Sequence, residues 1–205
     1  MTAPATRPTV CKLGGSLLDW EGLPGALAWI EQQWPGQPLV LVVGGGETAD
    51  LVRHWDRLFQ LGEERAHWLA LKSLALNENL AIKLWPRLRL ARNRAQVEAA
   101  HHDGVPALIC ANCFVRWGER QSSLPLPHTW QVTTDSIAAW VATILNAGQL
   151  VLVKSVDLPP GCTVTEAAAQ GLVDAYFPQL AGGLSRISWV NLRSDVPSPV
   201  PWQTA

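Results

Sequence analysis

The chain has 205 residues, of which 48% are hydrophobic and 16% charged, and its formal net charge is −1. This composition is typical of one packed globular domain and excludes wholesale disorder, and the absence of a basic block argues against nucleic-acid binding. Because no apolar run reaches the roughly 18 residues of a membrane helix and residues 1–8 lack the apolar core of a secretory signal, we expect a cytoplasmic protein that does not bind membranes.

The first predicted elements are two strands that each end in a glycine-rich turn. The apolar runs Thr9–Leu13 and Leu39–Val43 lead into residues 14–16 (GGS) and 44–46 (GGG), and a helix over about 22–34 lies between them. Such turns let backbone N–H groups approach an anion closely at the start of a helix. Two of them can hold two phosphates facing each other, which suggests a kinase that passes phosphate from a nucleotide to a second, small substrate.

The rest of the chain continues to alternate helices and strands. The pattern predicts helices over about 46–61, 63–84, 91–102, 135–146 and 165–170, and strands over 106–110, 150–153 and 187–191. Residues 172–180 have no clear assignment, and the Pro-rich end, 195–205, is predicted to be an extended tail that can lie across a neighbouring subunit. This alternation predicts a parallel sheet covered on both faces in a single domain, 1–205, with ligands at the carboxyl ends of the strands.

Three charged residues fall at those strand and helix ends. Lys12 precedes its glycines, unlike the lysine of a P-loop, and its charge can lie over a transferring phosphoryl group; the alternative is a solvent-facing lysine at a tight turn. Lys154 closes the strand at 150–153. Asp135 opens a helix, where it either complements the helix dipole or orients Lys12 and Lys154 by ion pairing. Asp157 is either part of a site or only a turn residue.

Several other patterns favour ordinary structural roles. The lone CxxC at 110–113 has no second ligand pair, so we expect four free thiols and no metal ligands. His67 is more typical of a packed or surface histidine than of a catalyst. The glycines at 44–46 do not match the GxGxxG dinucleotide fingerprint, and no GxSxG nucleophile motif is present.

Four ordered segments carry a family resemblance: residues 12–16 (KLGGS), 42–46 (VVGGG), 134–136 (TDS) and 153–157 (VKSVD). Together they resemble the amino acid kinase superfamily, which includes acetylglutamate, aspartate, uridylate and isopentenyl phosphate kinases. The resemblance covers residues 9 to about 158. It implies an α/β fold, a three-layer αβα sandwich with a mainly parallel, eight-stranded sheet. It also implies ATP and Mg²⁺ as cofactors, and a homo-oligomer.

The resemblance also implies a role for each matching residue. Catalysis would be carried out by Lys12, Asp135 and Lys154. The phosphates of ATP would be bound by Gly14, Gly15 and Ser16, and the rest of the nucleotide by Lys154, Ser155 and Asp157. The acceptor would be bound by Gly44, Gly45, Gly46 and Asp50. Where many members have Asp-Gly-Val, this chain has Asp157 followed by Leu158 and Pro159. The part that follows is short and lacks a closing Gly-Thr segment, which implies a reduced or absent nucleotide lid.

A narrower resemblance rests on residues 46–53 (GETADLVR), Asp56 and residues 67–70 (HWLA). These look like the small kinases of methanofuran biosynthesis, which phosphorylate an aminomethylfuran methyl phosphate to its diphosphate. We therefore expect ATP-dependent phosphoryl transfer to a small phosphorylated acceptor, in the synthesis of a methanofuran-like one-carbon carrier. The alternatives are a kinase for UMP, isopentenyl phosphate or an acyl carboxylate, or a non-catalytic nucleotide-binding or metal-storage protein on the same fold.

Overall fold

The computed structural model describes residues 7–202, which form one seven-stranded sheet with the strand order β3-β4-β2-β1-β5-β6-β7. The strands are β1 (Thr9–Leu13), β2 (Leu39–Val43), β3 (Arg89–Ala91), β4 (Ala107–Ile109), β5 (Gln149–Lys154), β6 (Ile187–Asn191) and β7 (Val200–Trp202). The helices are α1 (Leu23–Gln33), α2 (Gly46–Phe59), α3 (Glu63–Leu84), α4 (Arg94–His102), α5 (Ala111–Glu119), α6 (Thr134–Ile144), α7 (Val164–Ala169) and α8 (Phe177–Ala181). A 3₁₀ turn covers Gly15–Leu17.

The strands at the centre of the sheet are buried on both faces, which is why β1 and β2 read as continuous apolar runs. Along β2, Val40 and Val42 belong to one hydrophobic cluster, and Leu41 and Val43 belong to the other. The first cluster includes residues of α4, α5, α6 and α8, and the second includes α1. This arrangement confirms the predicted three-layer αβα sandwich. No helix among residues 7–202 has the length and hydropathy needed to cross a bilayer.

Parallel pairing brings three chain segments to one edge of the sheet. β1 lies between β2 and β5 and pairs in parallel with both, so that Leu13 lies opposite Val43 on one side and Val153 on the other. The residues that follow these positions are the two glycine turns and Lys154. The sheet therefore places at one edge the motifs that lie far apart in the sequence.

The structure differs from the sequence-based expectation at three short elements, which are β3, α4 and α5. β3 was not predicted, and the helix predicted over 91–102 begins instead at Arg94, after an N-cap at Asn93 whose side chain accepts from the Gln96 N–H. α5 was also missed. β3 has only three residues, one of them exposed, so its alternation is too short to identify.

The Pro-rich end is not a free tail over its described part. Val200–Trp202 forms β7, which pairs antiparallel with β6 and places Trp202 opposite Ile187. Trp202 is only 5% exposed, lies against Trp189 and Phe177, and donates through Nε1 to the Cys162 carbonyl at 2.8 Å. These three residues are extended, and the buried indole anchors them to the edge of the chain's own sheet. Residues 1–6 and 203–205 lie outside the described part, and residues 7–202 form seven strands where the resemblance implied eight.

Candidate active site

The two glycine turns pack directly against each other. A Cβ atom added at Gly15 would lie 2.3 Å from the Gly46 nitrogen, and one at Gly44 would lie 2.4 Å from the Gly15 nitrogen. Gly46 also adopts a positive φ of 49°, which side chains other than glycine rarely adopt. These glycines are therefore required by the approach of one backbone to the other, before any ligand is considered.

Free backbone donors accompany this packing. The Gly14 N–H donates to the Val153 carbonyl and the Gly44 N–H to the Leu13 carbonyl, whereas within residues 7–202 the Gly15 and Ser16 N–H groups donate to no backbone carbonyl. The second turn leads directly into α2, whose first N–H groups also lack partners within the helix. The paired turns thus present backbone donors suited to anionic oxygens.

A lysine–carboxylate–lysine arrangement lies at the same edge. The Lys12 Nζ is 2.8 Å and the Lys154 Nζ 2.9 Å from the Asp135 Oδ1, and Lys154 also donates to the Asp135 Oδ2 at 3.0 Å. Lys154 donates further to the Leu172 carbonyl at 2.7 Å. All three side chains are buried. The structure thus unites Lys12, Asp135 and Lys154, as predicted by the ion-pairing interpretation of Asp135.

The charges of this group determine its protonation. Burial alone would raise the pKa of Asp135, but the neighbouring Lys12 and Lys154 reverse this effect and hold it below its usual value. Burial, and after it the charge of Lys12, lower the pKa of Lys154 to about 8 against the opposing effects of Asp135 and Asp174. Two ammonium groups share one carboxylate, so these three residues together carry one net positive charge, which the nearby carboxylate of Asp174 offsets only from outside the group. An anion bound beside Lys12 would balance this charge.

A cavity of about 240 Å³ opens beside Lys12 and the glycine turns. Its lining includes Lys12, Gly15, Ser16, Gly45, Gly46, Asp50, Arg53, His67, Leu74, Trp130 and Thr134. Asp50 lies at this cavity, but its carboxylate is paired with Arg53 at 2.7 Å and is largely exposed. Of the residues predicted to contact an acceptor, Gly45, Gly46 and Asp50 line the cavity, whereas Gly44 does not line it and packs against Gly15.

Of the residues predicted to contact the nucleotide, Ser155 and Asp157 lie outside the cavity lining, and Ser155 contacts the first glycine turn. The Ser16 and Ser155 hydroxyls share a hydrogen bond of 2.7 Å. The Asp157 carboxylate accepts a hydrogen bond from the Asn191 side chain at 3.0 Å. This contact fixes the orientation of the Asp157 side chain, which a residue with only a turn-forming role would not need. Arg193 donates to the Ser16 carbonyl at 2.8 Å, and sequence analysis did not identify this arginine because its contact spans 177 positions.

Two polar residues that hold the site in place also escaped sequence analysis. The Asn77 side chain, on α3, donates to the carbonyls of Gly44 at 2.9 Å and Gly45 at 2.8 Å. Asp174 accepts from the N–H and hydroxyl groups of Thr133 and Ser136 at the start of α6. Asn77 thereby fixes the second glycine turn, and Asp174 fixes the helix start that carries Asp135. Both residues orient the site through other residues, and no local sequence pattern marks either of them.

The described residues can be tested against the cofactors that the resemblance implies. The glycine cradle, which a single Cβ would obstruct, and the net positive charge of the lysine group fit the phosphates of ATP. Within residues 7–202, no group of three or more His, Cys, Asp or Glu side chains is arranged to hold a metal ion. Mg²⁺ commonly binds one or two carboxylates together with substrate phosphates and does not require such a group. All four cysteines lie within the described residues and are free there.

Comparison with known proteins gives the same fold. UMP kinase from Ureaplasma parvum superposes with a TM-score of 0.66 at 14% identity, covering 94% of this chain and 92% of that one. Carbamate kinase from Giardia lamblia, solved with AMP-PNP bound, superposes with a TM-score of 0.57 at 9% identity, covering 97% and 99%. At these identities the likeness concerns the fold alone.

Sequence comparison is more specific. The [5-(aminomethyl)furan-3-yl]methyl phosphate kinase of Methanocaldococcus jannaschii is 25% identical over 154 residues, which cover 72% of this chain and 66% of that protein, just under two thirds of its length. The sequence model of the amino acid kinase family matches residues 7–158, which contain both glycine turns, both lysines and Asp135. The match supports a phosphotransferase, and the chain belongs to the amino acid kinase family.

Proposed function

We propose that the protein is an ATP-dependent kinase that transfers a phosphoryl group to a small, already phosphorylated acceptor and forms a diphosphate. The observation that carries this proposal is the net positive charge of the Lys12–Asp135–Lys154 group, buried beside two packed glycine turns and next to a cavity. A buried net positive charge is costly unless an anion arrives. Two phosphate groups that meet at this point would supply negative charge.

The arrangement suits in-line phosphoryl transfer. A phosphate acceptor is ionised near neutral pH, so its oxygen can attack the γ-phosphorus without a strong general base, and the bond from that phosphorus to the ADP oxygen breaks. The first glycine turn would hold the phosphates of ATP, the second would hold the acceptor phosphate, and Lys12 between them would stabilise the charge in transit. Mg²⁺, when bound with ATP, neutralises phosphate charge.

The acceptor that we propose is [5-(aminomethyl)furan-3-yl]methyl phosphate, and the product would enter the synthesis of a methanofuran-like one-carbon carrier. This proposal is supported by the relative in Methanocaldococcus jannaschii, which is named for that substrate. A cavity of about 240 Å³ suits one small ring and a phosphate. UMP is the second candidate acceptor, because kinases of UMP are among the structural neighbours.

The test is a direct assay. Purified protein is incubated with ATP, Mg²⁺ and the aminomethylfuran phosphate, and ADP and the diphosphate are followed by mass spectrometry, with UMP, isopentenyl phosphate and acyl carboxylates in parallel. Lys12→Ala should reduce turnover by at least about 100-fold, since it removes a charge that acts in the transition state. Lys83→Ala, which changes an exposed lysine at the end of α3, is the matched control and should leave turnover unchanged. Tight ATP binding without turnover of any acceptor would instead favour the non-catalytic nucleotide-binding alternative.

We also propose a homo-oligomer. Leu76, Leu80 and Leu84 form an exposed apolar row along α3, at the four-residue spacing of one helix face. Light scattering coupled to gel filtration should give a mass that is a multiple of 22.3 kDa. A monomer at assay concentration would contradict this proposal without affecting the kinase proposal.

A further inference from the structure

A histidine of α3 forms part of the wall of the acceptor cavity. His67 is only 3% exposed and lines the cavity together with Trp130. Its ring stacks on that of His128 with 5.1 Å between centroids, and Trp68 packs edge-on against both rings. The imidazole is therefore held in a fixed orientation by aromatic neighbours.

One nitrogen of this ring has no partner. The His67 Nε2 is buried and forms no hydrogen bond to any residue in 7–202. We assign the proton of the neutral ring to Nδ1, because Nε2 has no partner to which it could donate and the Thr129 backbone beside the ring favours its protonation. In the neutral ring the Nε2 then carries a lone pair and accepts hydrogen bonds. A buried acceptor left unpaired costs roughly 1–3 kcal/mol, so a ligand group that pairs with it gains correspondingly.

The ring is neutral in the working range of the protein. Burial lowers the pKa of His67 to about 4, and the adjacent His128 acts in the same direction against the opposing effect of the Thr129 backbone. Other charged groups around the cluster are Glu64 and Glu119, whose carboxylates face His128, and Arg116, which lies over Trp68. A neutral imidazole keeps its lone pair available above about pH 5.

The position of His67 along α3 defines what it can contact. Leu74 on the same helix lies against the second glycine turn, 3.7 Å from the position of a Cβ on Gly45. His67 precedes Leu74 by seven residues, which corresponds to about 10 Å along the helix axis. A ligand whose phosphate is held at the glycine turn would therefore extend its far end toward His67.

We propose that His67 determines acceptor specificity by accepting, through Nε2, a hydrogen bond from an N–H or O–H donor at the end of the acceptor remote from its phosphate. The inference rests on the proposed function, because it takes the cavity to be the acceptor site. The aminomethyl group of the proposed acceptor is such a donor. Acceptors that carry only an apolar group at this end leave the Nε2 unpaired and bind less tightly.

The test compares two ligands that differ only in this group, which is a cationic ammonium donor in one and an apolar ethyl group in the other. Calorimetry measures the binding of [5-(aminomethyl)furan-3-yl]methyl phosphate and of the analogue with an ethyl group in place of the aminomethyl group. The proteins are the wild type and four variants, which are His67→Phe, His67→Gln, Asp50→Asn and His101→Phe. The wild type should bind the amine at least about 10-fold more tightly. His67→Phe should reduce this ratio to below about threefold. His67→Gln, whose amide oxygen replaces the Nε2 acceptor, should restore part of it. His101→Phe is the matched control, because His101 bonds to the Leu39 carbonyl at the opposite end of β2, and it should keep the full ratio.

The outcomes separate this inference from the kinase proposal. Equal binding of both ligands by the wild type, or equal weakening of both by His67→Phe and His67→Gln, would overturn the role of His67. If Asp50→Asn but not His67→Phe lost the preference for the amine, Asp50 would be the residue that binds the amine, and the role of His67 would again be overturned. Selective binding that depends on His67, without diphosphate formation from ATP, would refute the kinase proposal alone. Turnover of both ligands with equal KM would leave the kinase proposal standing and refute the role of His67.

Discussion

Replacing Asp135 with asparagine should separate the two functions of the lysine group, which are stability and charge balance. The substitution keeps the volume of the side chain, so packing is preserved and only the shared negative charge is lost. In the native protein this carboxylate lies within 2.9 Å of both ammonium groups. Its removal leaves two buried cations together, and removing one partner of a buried ion pair costs about 3–5 kcal/mol.

Lys154 limits this cost. Its pKa of about 8 lies only about one unit above neutral pH, so it can release its proton at an expense of about 1.4 kcal/mol in the native protein and less in the variant. We therefore expect a loss of about 3 kcal/mol in the free energy of unfolding at pH 7. In the variant the folded state should hold Lys154 neutral while the unfolded state binds the proton. Stability of the variant should then rise by about 1.4 kcal/mol from pH 7 to pH 8, where that of the wild type stays nearly flat.

Urea denaturation at several pH values measures both quantities. Asp103→Asn is the matched control, because Asp103 forms an exposed ion pair with Arg89 and its loss should leave the transition unchanged. Turnover of Asp135→Asn should fall by about two orders of magnitude, since Lys12 loses its orientation. A stability loss below about 1 kcal/mol with no added pH dependence would show that the buried lysines do not rely on this carboxylate, and the reasoning on charge balance would be refuted.

Three further predictions concern other parts of the site. Turnover of the wild type should decline as the pH rises past about 8, because Lys154 then loses its proton. The arginine of Lys154→Arg stays charged, so the pH profile of this variant should show a lower plateau without that decline. Gly15→Ala should destabilise the protein by at least about 2 kcal/mol, because its Cβ would lie 2.3 Å from the Gly46 nitrogen. Gly25→Ala, in α1 with no atom within 4 Å of the added Cβ, should be neutral or stabilising by up to about 1 kcal/mol, and thermal unfolding of the two variants compares them. His67 has a pKa of about 4 when folded and about 6.5 when unfolded, so the unfolded state binds the proton first as the pH falls. Stability should therefore decrease by up to about 3 kcal/mol between pH 6.5 and pH 4, and acid titrations of His67→Phe should lack this component.

The sequence predicted those features that depend on local pattern. β1 and β2 have the predicted bounds because each is a short β-branched or apolar run that ends at glycine, and α3 has the predicted bounds because Gly62 precedes it and Pro86 follows. The meeting of Lys12, Asp135 and Lys154 was also predictable, because parallel strands bring their carboxyl ends to one edge.

Features that depend on contacts between distant segments were not predictable in the same way. Asn77 carries no motif, and its function arises only because α3 passes the second glycine turn. Asp174 lies in a segment without a regular pattern, 38 positions from its partner Ser136. The packing of Gly15 against Gly46 explains the glycines by a contact between two turns, whereas the sequence alone suggested only the approach of a ligand.

The two edges of the sheet have a consequence for handling the protein. An edge strand is a template on which another chain can add a strand, and long, flat edges promote aggregation. Here both edge strands, β3 and β7, have three residues, and β7 contains Pro201, which has no N–H to offer a new partner. Removing residues from Val200 onward would expose the five-residue β6 and withdraw Trp202 from its place against Trp189. The C-terminal strand therefore covers an edge on which aggregation could begin, and versions of the chain that lack it should aggregate more readily.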